Sequence, residues 1–137
     1  MSGLTRFGVS IEDVLLKKFD GLIKQKGYSN RSEAIRDLIR KNLVEKEWEE
    51  KGEVAGGIAI VYDHEKRELV NKIIDIQHDS HDIIISSQHV HLDERNCLEV
   101  VIVKGGVKDV EKLADTLCSL KGVRHCTLAR ATTGKKL

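Results

Sequence analysis

Four of the six histidines, His78, His81, His89 and His91, fall close together, and Cys97 follows six residues after the last of them. Imidazole nitrogens and a thiolate bind zinc, nickel or copper, whereas calcium and magnesium take oxygen ligands. His89 and His91 are two apart, so on a strand both rings leave the same face. With Leu92 to Asn96 as a five-residue loop, His91 lies opposite Cys97 and His89 opposite Glu99, so that three donors converge on that face. The competing reading is a solvated histidine-rich strand with Cys97 packed in a core, as free cysteines often are.

Distance decides where a fourth donor comes from. His78 sits where a helix ends and a strand begins near Asp82, so His89 and His91 lie roughly 23 to 30 Å farther along that strand. His78 therefore cannot reach His91 within its own chain. If two copies of the strand run antiparallel across a two-fold axis, the start of one faces the end of the other, and His78 of the partner subunit can complete the set. His81 competes for this role, and His78 can also serve as a positive group at a helix C-terminus.

The elements that must position these donors follow from periodicity. The chain has 137 residues, 40% apolar, 33% charged and 4% aromatic with no proline, which predicts a folded chain with an aliphatic core. No apolar run is long enough to span a bilayer and Met1 to Arg6 carry no apolar signal segment, so a cytoplasmic protein without membrane association is expected. In that reducing compartment Cys97, Cys118 and Cys126 read as thiols or metal ligands rather than disulfides, with Cys118 and Cys126 as packing residues.

Residues 4 to 10 alternate, with Thr5, Phe7 and Val9 on an apolar side, and read as a short strand. Ser10 is placed to cap a helix whose stripe is Val14, Leu15, Phe19, Leu22 and Ile23, stopped by Gly27. A second helix begins near Asn30, with Glu33 in the capping-box position and Ala34, Ile35, Leu38, Ile39 and Leu43 as its stripe. So small a unit, with one lone strand, should dimerise. Glu45 to Gly52 is polar and ends in glycine, which places a linker there.

Beyond the linker the pattern is strand (Gly57 to Tyr62), helix (His64 to about His78), two strands (82–92 and 97–103), helix (Val107 to Leu120) and strand (Val123 to Ala131). This β-α-β-β-α-β order is the ferredoxin-like plan. The fold class is α+β, with domains at 1–50 and 53–137. Residues 1–41 hold nine basic against five acidic side chains in a chain of net charge +1, so the front end is the part suited to phosphate.

Taken together, these residues resemble the nickel-responsive transcriptional regulators of the NikR type, ribbon-helix-helix proteins, over essentially the whole length. The matching stretches are Gly27 to Arg36, His64 to Arg67, the spacing of His78, His89, His91 and Cys97, and Gly122 to His125. The metal spacing is the specific part, since the first stretch would fit other small repressors. The resemblance implies one Ni(II) per subunit, square-planar, held by His89, His91 and Cys97 of one subunit and His78 of another, with an ACT-type second domain building a homotetramer from two dimers. It implies double-stranded operator DNA as partner, a promoter for nickel uptake as target, repression as outcome, and no enzymatic activity.

On this resemblance the first strand pairs with its two-fold mate into a ribbon that enters the major groove. Arg6, Gly8 and Ser10 would face the bases, Arg6 as the strongest reader. Matching family positions usually carry Arg, Thr and Thr, so Gly8 removes a contact. Amides near Asn30 could hold phosphate. The resemblance alone assigns Lys66 and Arg67 to the DNA backbone, and Glu33 and Asp37 to a second cation such as potassium between the domains. Glu99 would orient an imidazole, while His64 and His125 read as surface or supporting groups. The alternatives are a metabolite sensor on the same regulatory fold, or a zinc protein.

Overall fold

The computed structural model describes residues 3–137. It divides into two compact units, Met1–Lys41 and Asn42–Leu137. Helix α1 spans Asp13–Gln25 and helix α2 spans Arg31–Glu49, so α2 runs through the boundary between the units. Then come β1 (Glu53–Asp63), α3 (Arg67–Asp79), β2 (Ile84–His91), β3 (Asn96–Gly106), α4 (Val107–Cys118) and β4 (Val123–Arg130).

In the first unit, residues 3–12 form no regular element. The expected strand over residues 4 to 10 is absent from the single chain, because backbone donors and acceptors of a lone strand have no partner there. The expected Ser10 cap is also absent. Helix α1 starts at Asp13 behind Glu12, with no side-chain bond to its first amides. Gly27 does end α1, in the left-handed region at φ +83°. The Asn30 cap of α2 is present, with the Glu33 amide donating to Asn30 Oδ1 at 2.9 Å. A twofold contact from Arg31 Nε and Nη2 to the Asp20 carboxylate, 2.9 Å each, ties α2 to α1.

Where a linker was expected, α2 stays helical to Glu49. Lysine and glutamate are good helix formers, and Trp48 supplies the missing anchor. The indole is buried in the second unit and donates from Nε1 to the Ala131 carbonyl at 2.9 Å, with the Arg130 guanidinium 5.4 Å from its ring centre.

The second unit is one antiparallel sheet in the order β2-β3-β1-β4, which is the ferredoxin-like arrangement. One face is covered by α3 and α4. Strand β1 alternates, burying Val54, Ile58, Ile60 and Tyr62 on that face, and β3 answers with Cys97, Glu99, Val101 and Val103. Val107, Val110, Leu113, Ala114 and Leu117 of α4 close the core on the predicted stripe. Strand β2 lies at the sheet edge, and all of it beyond Ile84 is exposed.

Cys118 and Cys126 form a disulfide, with Cα atoms 5.1 Å apart, against the expectation of free packing thiols. Helix α4 reverses directly into β4 after Gly122, and this short reversal brings the last helical turn alongside the fourth residue of β4. Among the described residues no helix is long and apolar enough to cross a membrane.

Candidate metal centre

The expected hairpin register is present. His91 pairs with Cys97 and His89 with Glu99 across β2 and β3. The turn between them holds itself: the Leu92 amide donates to the Asn96 carbonyl at 2.8 Å, and Asp93 Oδ1 accepts from the Arg95 and Asn96 amides at 2.9 and 2.7 Å. Those amides lower the Asp93 pKa to about 2, the Asn96 amide contributing most. The His89 and His91 rings lie 5.3 Å apart, exposed on the edge strand.

Register alone does not bring three donors to one point. Among the described residues, no group of three His, Cys, Asp or Glu side chains is placed to hold a metal. Each donor in the single chain has a local partner. The Cys97 thiol is fully buried and donates to the Tyr62 carbonyl, 3.5 Å away, and burial raises its pKa. His91 meets His64 edge to face, with ring centres 4.6 Å apart, and His89 stacks parallel to Tyr62 at 6.1 Å. His64 itself is held by contact between Nε2 and the Glu94 carbonyl at 2.6 Å.

Glu99 is buried, and its two oxygens accept from the Tyr62 hydroxyl and the Gln77 amide, both at 2.7 Å. Within one chain those bonds go to a phenol and an amide rather than to an imidazole. His78 occupies the last turn of α3, exposed, beside His81, whose Nδ1 lies 3.1 Å from the His78 carbonyl. His64, three residues before α3, lies beside His91, and His78 is the twelfth residue of that helix, roughly 17 Å along its axis from Arg67. His78 follows Gln77, whose amide reaches Glu99, the residue opposite His89.

In chemical type the donors suit a late first-row divalent ion, two imidazoles and a thiol on one hairpin, although the single chain does not bring them to one point. Tyr62 and Asp63 were not expected at the site, and His64 only as a surface or supporting group; the three frame these donors from the end of β1 and the residue after it. Their only signal is topological, since β1 lies next to β3 in a ferredoxin-like sheet and its last residues end beside the hairpin turn.

The remaining expected site residues lie elsewhere. Arg6, Gly8 and Ser10 are exposed on the irregular segment, and no atom lies within 4 Å of where a side chain on Gly8 would begin. Glu33 pairs with Arg36, whereas Asp37 accepts from the Tyr28 hydroxyl and pairs with Lys41 at 3.2 Å. The Tyr28 hydroxyl, with Lys41 adding, lowers the Asp37 pKa. The two carboxylates are thus engaged separately. Lys66 and Arg67 are exposed at the start of α3.

Comparison with known proteins gives two family matches. Residues 55–131 match the NikR C terminal nickel binding domain, and residues 5–46 match the ribbon-helix-helix protein, copG family. Among curated relatives, a protein of Syntrophus aciditrophicus named as a nickel-responsive regulator is 57% identical over 98% of both chains. Relatives with the same name from Thermococcus onnurineus and Pyrococcus furiosus are 56% and 54% identical over 98% of this chain and 98% and 99% of their own. Of solved structures, an uncharacterized protein of Thermotoga maritima superposes on 59% of this chain and all of its own with TM-score 0.54 at 13% identity, a likeness of fold alone.

Proposed function

Because the chain belongs to the nickel-responsive regulators, transcription regulators rather than enzymes, in which a ribbon-helix-helix DNA-binding domain precedes a NikR C-terminal nickel binding domain, we propose that it is a nickel-gated repressor of nickel uptake whose metal site is completed between subunits. In this reading His89, His91 and Cys97 of one subunit and His78 of the partner subunit hold one nickel per subunit. The observation that carries it is that the folded protomer does not complete the set by itself: His89, His91 and Cys97 share one hairpin, His78 lies in the last turn of α3, and among the described residues no three donors meet.

Strand β2 supports the same reading. It is an edge strand, so its outer backbone groups are free to pair with another copy running antiparallel. Ile85, Val90 and Ile102 remain exposed on β2 and β3, apolar surface that a second copy would cover. The protein's own work at the site is to release the Cys97 proton, since the thiolate is the ligand, and to turn the His91 ring away from His64. Bound nickel supplies a cross-link of fixed geometry between subunits, and so biases the assembly toward one quaternary arrangement.

In the first unit, Phe7 and Val9 are exposed beside Ile35 and Ile39 along a groove of about 850 Å³. A second copy pairing through residues 4 to 10 would cover this groove and leave Arg6, Gly8 and Ser10 outward, toward bases, with the α2 amides at Asn30 toward phosphate. Two such dimers on a tetrameric core would make the operator-binding form. A coupling of about 3 kcal/mol between metal and DNA would change operator affinity roughly 100-fold.

The test is direct. Duplexes selected by the nickel-loaded protein from a random pool are titrated with apo and nickel-loaded full-length protein, followed by fluorescence anisotropy. Nickel should tighten binding about 100-fold. Equal affinities with nickel demonstrably bound would refute the gating.

A further inference from the structure

Asp63, the last residue of β1, is a fully enclosed carboxylate attached to the turn that separates His91 from Cys97. Its Oδ2 accepts from Arg95 Nη2 at 2.7 Å and Nε at 3.2 Å, and Arg124 Nη2 approaches to 3.8 Å. Its Oδ1 accepts the Glu65 amide at 2.9 Å. Arg95 belongs to the turn itself, and its carbonyl accepts the His64 amide at 2.9 Å, so β1 grips the turn by side chain and by main chain. Arg124 Nη1 donates to Asn96 Oδ1 at 2.5 Å, and Asn96 adjoins Cys97.

Stability alone is a poor reason for this arrangement. A buried carboxylate paired with arginine loses hydration that its ion pairs only roughly restore, and apolar replacements of such pairs are often neutral or stabilising. What the pair does fix is geometry. Arg95 is itself 60% exposed and would otherwise be a free surface side chain; Asp63 gives the turn one position relative to β1. That position sets how His91 and Cys97 face each other, and places His64 against His91.

We propose that Asp63, acting through Arg95, is a positioning residue for the nickel site, holding the ligand hairpin at the His91 to Cys97 spacing before metal arrives. It rests on the reading of His89, His91 and Cys97 as ligands. Groups that orient metal ligands typically change affinity 10- to 100-fold when removed.

The experiment measures nickel affinity by chelator competition and the thiolate-to-nickel absorption band, with thermal midpoints alongside, in full-length wild type, Asp63→Asn, Arg95→Gln and the double variant. Each single variant should bind nickel at least tenfold more weakly with a displaced band, and the double variant no more weakly than the weaker single, since both remove one link. Arg95→Gln alters an exposed side chain, so it decides the matter even if Asp63→Asn fails to fold. Wild-type affinity and band in Arg95→Gln would overturn the positioning role, whatever happens to the melting temperature. A wild-type protein with no band that Cys97→Ser abolishes would overturn the ligand reading, and the positioning role with it.

Discussion

Between residues 3 and 41 only Ile23 and Ala34 are buried, while Leu4, Phe7, Val9, Val14, Leu15, Leu22, Leu38 and Ile39 are exposed; between Asn42 and Leu137 a continuous cluster from Trp48 to Leu117 is closed off from water. The first unit has the apolar residues of a core and no core. The second has its core and leaves its polar donors, His78, His89 and His91, on the outside. On the proposed reading, folding of the first unit would be inseparable from association, whereas the second would fold first and associate through its site.

The largest expected effect tests this contrast head on. Ile60 is fully buried in the second unit, so Ile60→Ala should cost about 2–5 kcal/mol at any protein concentration. Phe7 is 72% exposed in the single chain, where truncation to Ala would ordinarily change stability by no more than about 0.5 kcal/mol. If another copy covers it, Phe7→Ala costs about 3 kcal/mol or more, and its melting temperature depends on concentration. Thermal unfolding at two concentrations a hundredfold apart measures both. A Phe7→Ala effect of surface size, independent of concentration, would break the comparison.

What the sequence made legible follows the same division. Patterns of period two and 3.6 located every element from β1 onward, because each element there buries the face its own residues define: the α4 stripe from Val107 to Leu117 is buried as spaced. The hairpin register was countable, since the loop length between His91 and Cys97 fixes it. Readings failed where the answer depended on something distant in sequence or on another chain. Glu45 to Gly52 looks like a linker until the Ala131 carbonyl is there to receive the Trp48 indole. Residues 4 to 10 alternate as a strand, yet a single chain offers them nothing to pair with. Asp63 and Arg95 are unremarkable in sequence and meet only because β1 lies beside β3. Cys118 and Cys126 looked like packing residues because the reversal joining them is tertiary, although only eight positions separate them.

That disulfide gives the second prediction, and it belongs to the second unit alone. Closing a loop with a separation of eight residues is worth about 2–3 kcal/mol in the chain-entropy account. Reduction, or Cys126→Ser, should lower the unfolding free energy of the second unit by that amount, with a lower denaturant midpoint, and leave the concentration dependence of the first unchanged. Denaturation followed with and without dithiothreitol reads it. Because Cys97 is not part of the bridge, nickel affinity should survive its reduction. A loss of nickel binding on reduction would mean that the bridge shapes the site as well as the fold.

The smallest effect concerns how the two helices of the first unit are held together within the single chain. The Arg31 hydrogen bond lowers the Asp20 pKa, so Asp20 binds its proton less readily in the folded chain than in the unfolded one. Its stabilising contribution is therefore present above the unfolded carboxylate value, about 3.9, and is lost as pH falls through the lowered folded value. Both side chains are substantially exposed, so salt should weaken the effect. Far-UV circular dichroism from pH 6 to pH 2 should show Asp20→Asn already partly destabilised at pH 6 and losing less helix below pH 4 than wild type does, the remainder of the loss coming from Asp37 and the other carboxylates with lowered pKa values. If the two titrate alike, the α1 to α2 contact does not order the unit. On the proposed reading its helices would then gain their mutual arrangement only from a second copy seated on Phe7 and Val9, the stronger form of the contrast between the two units.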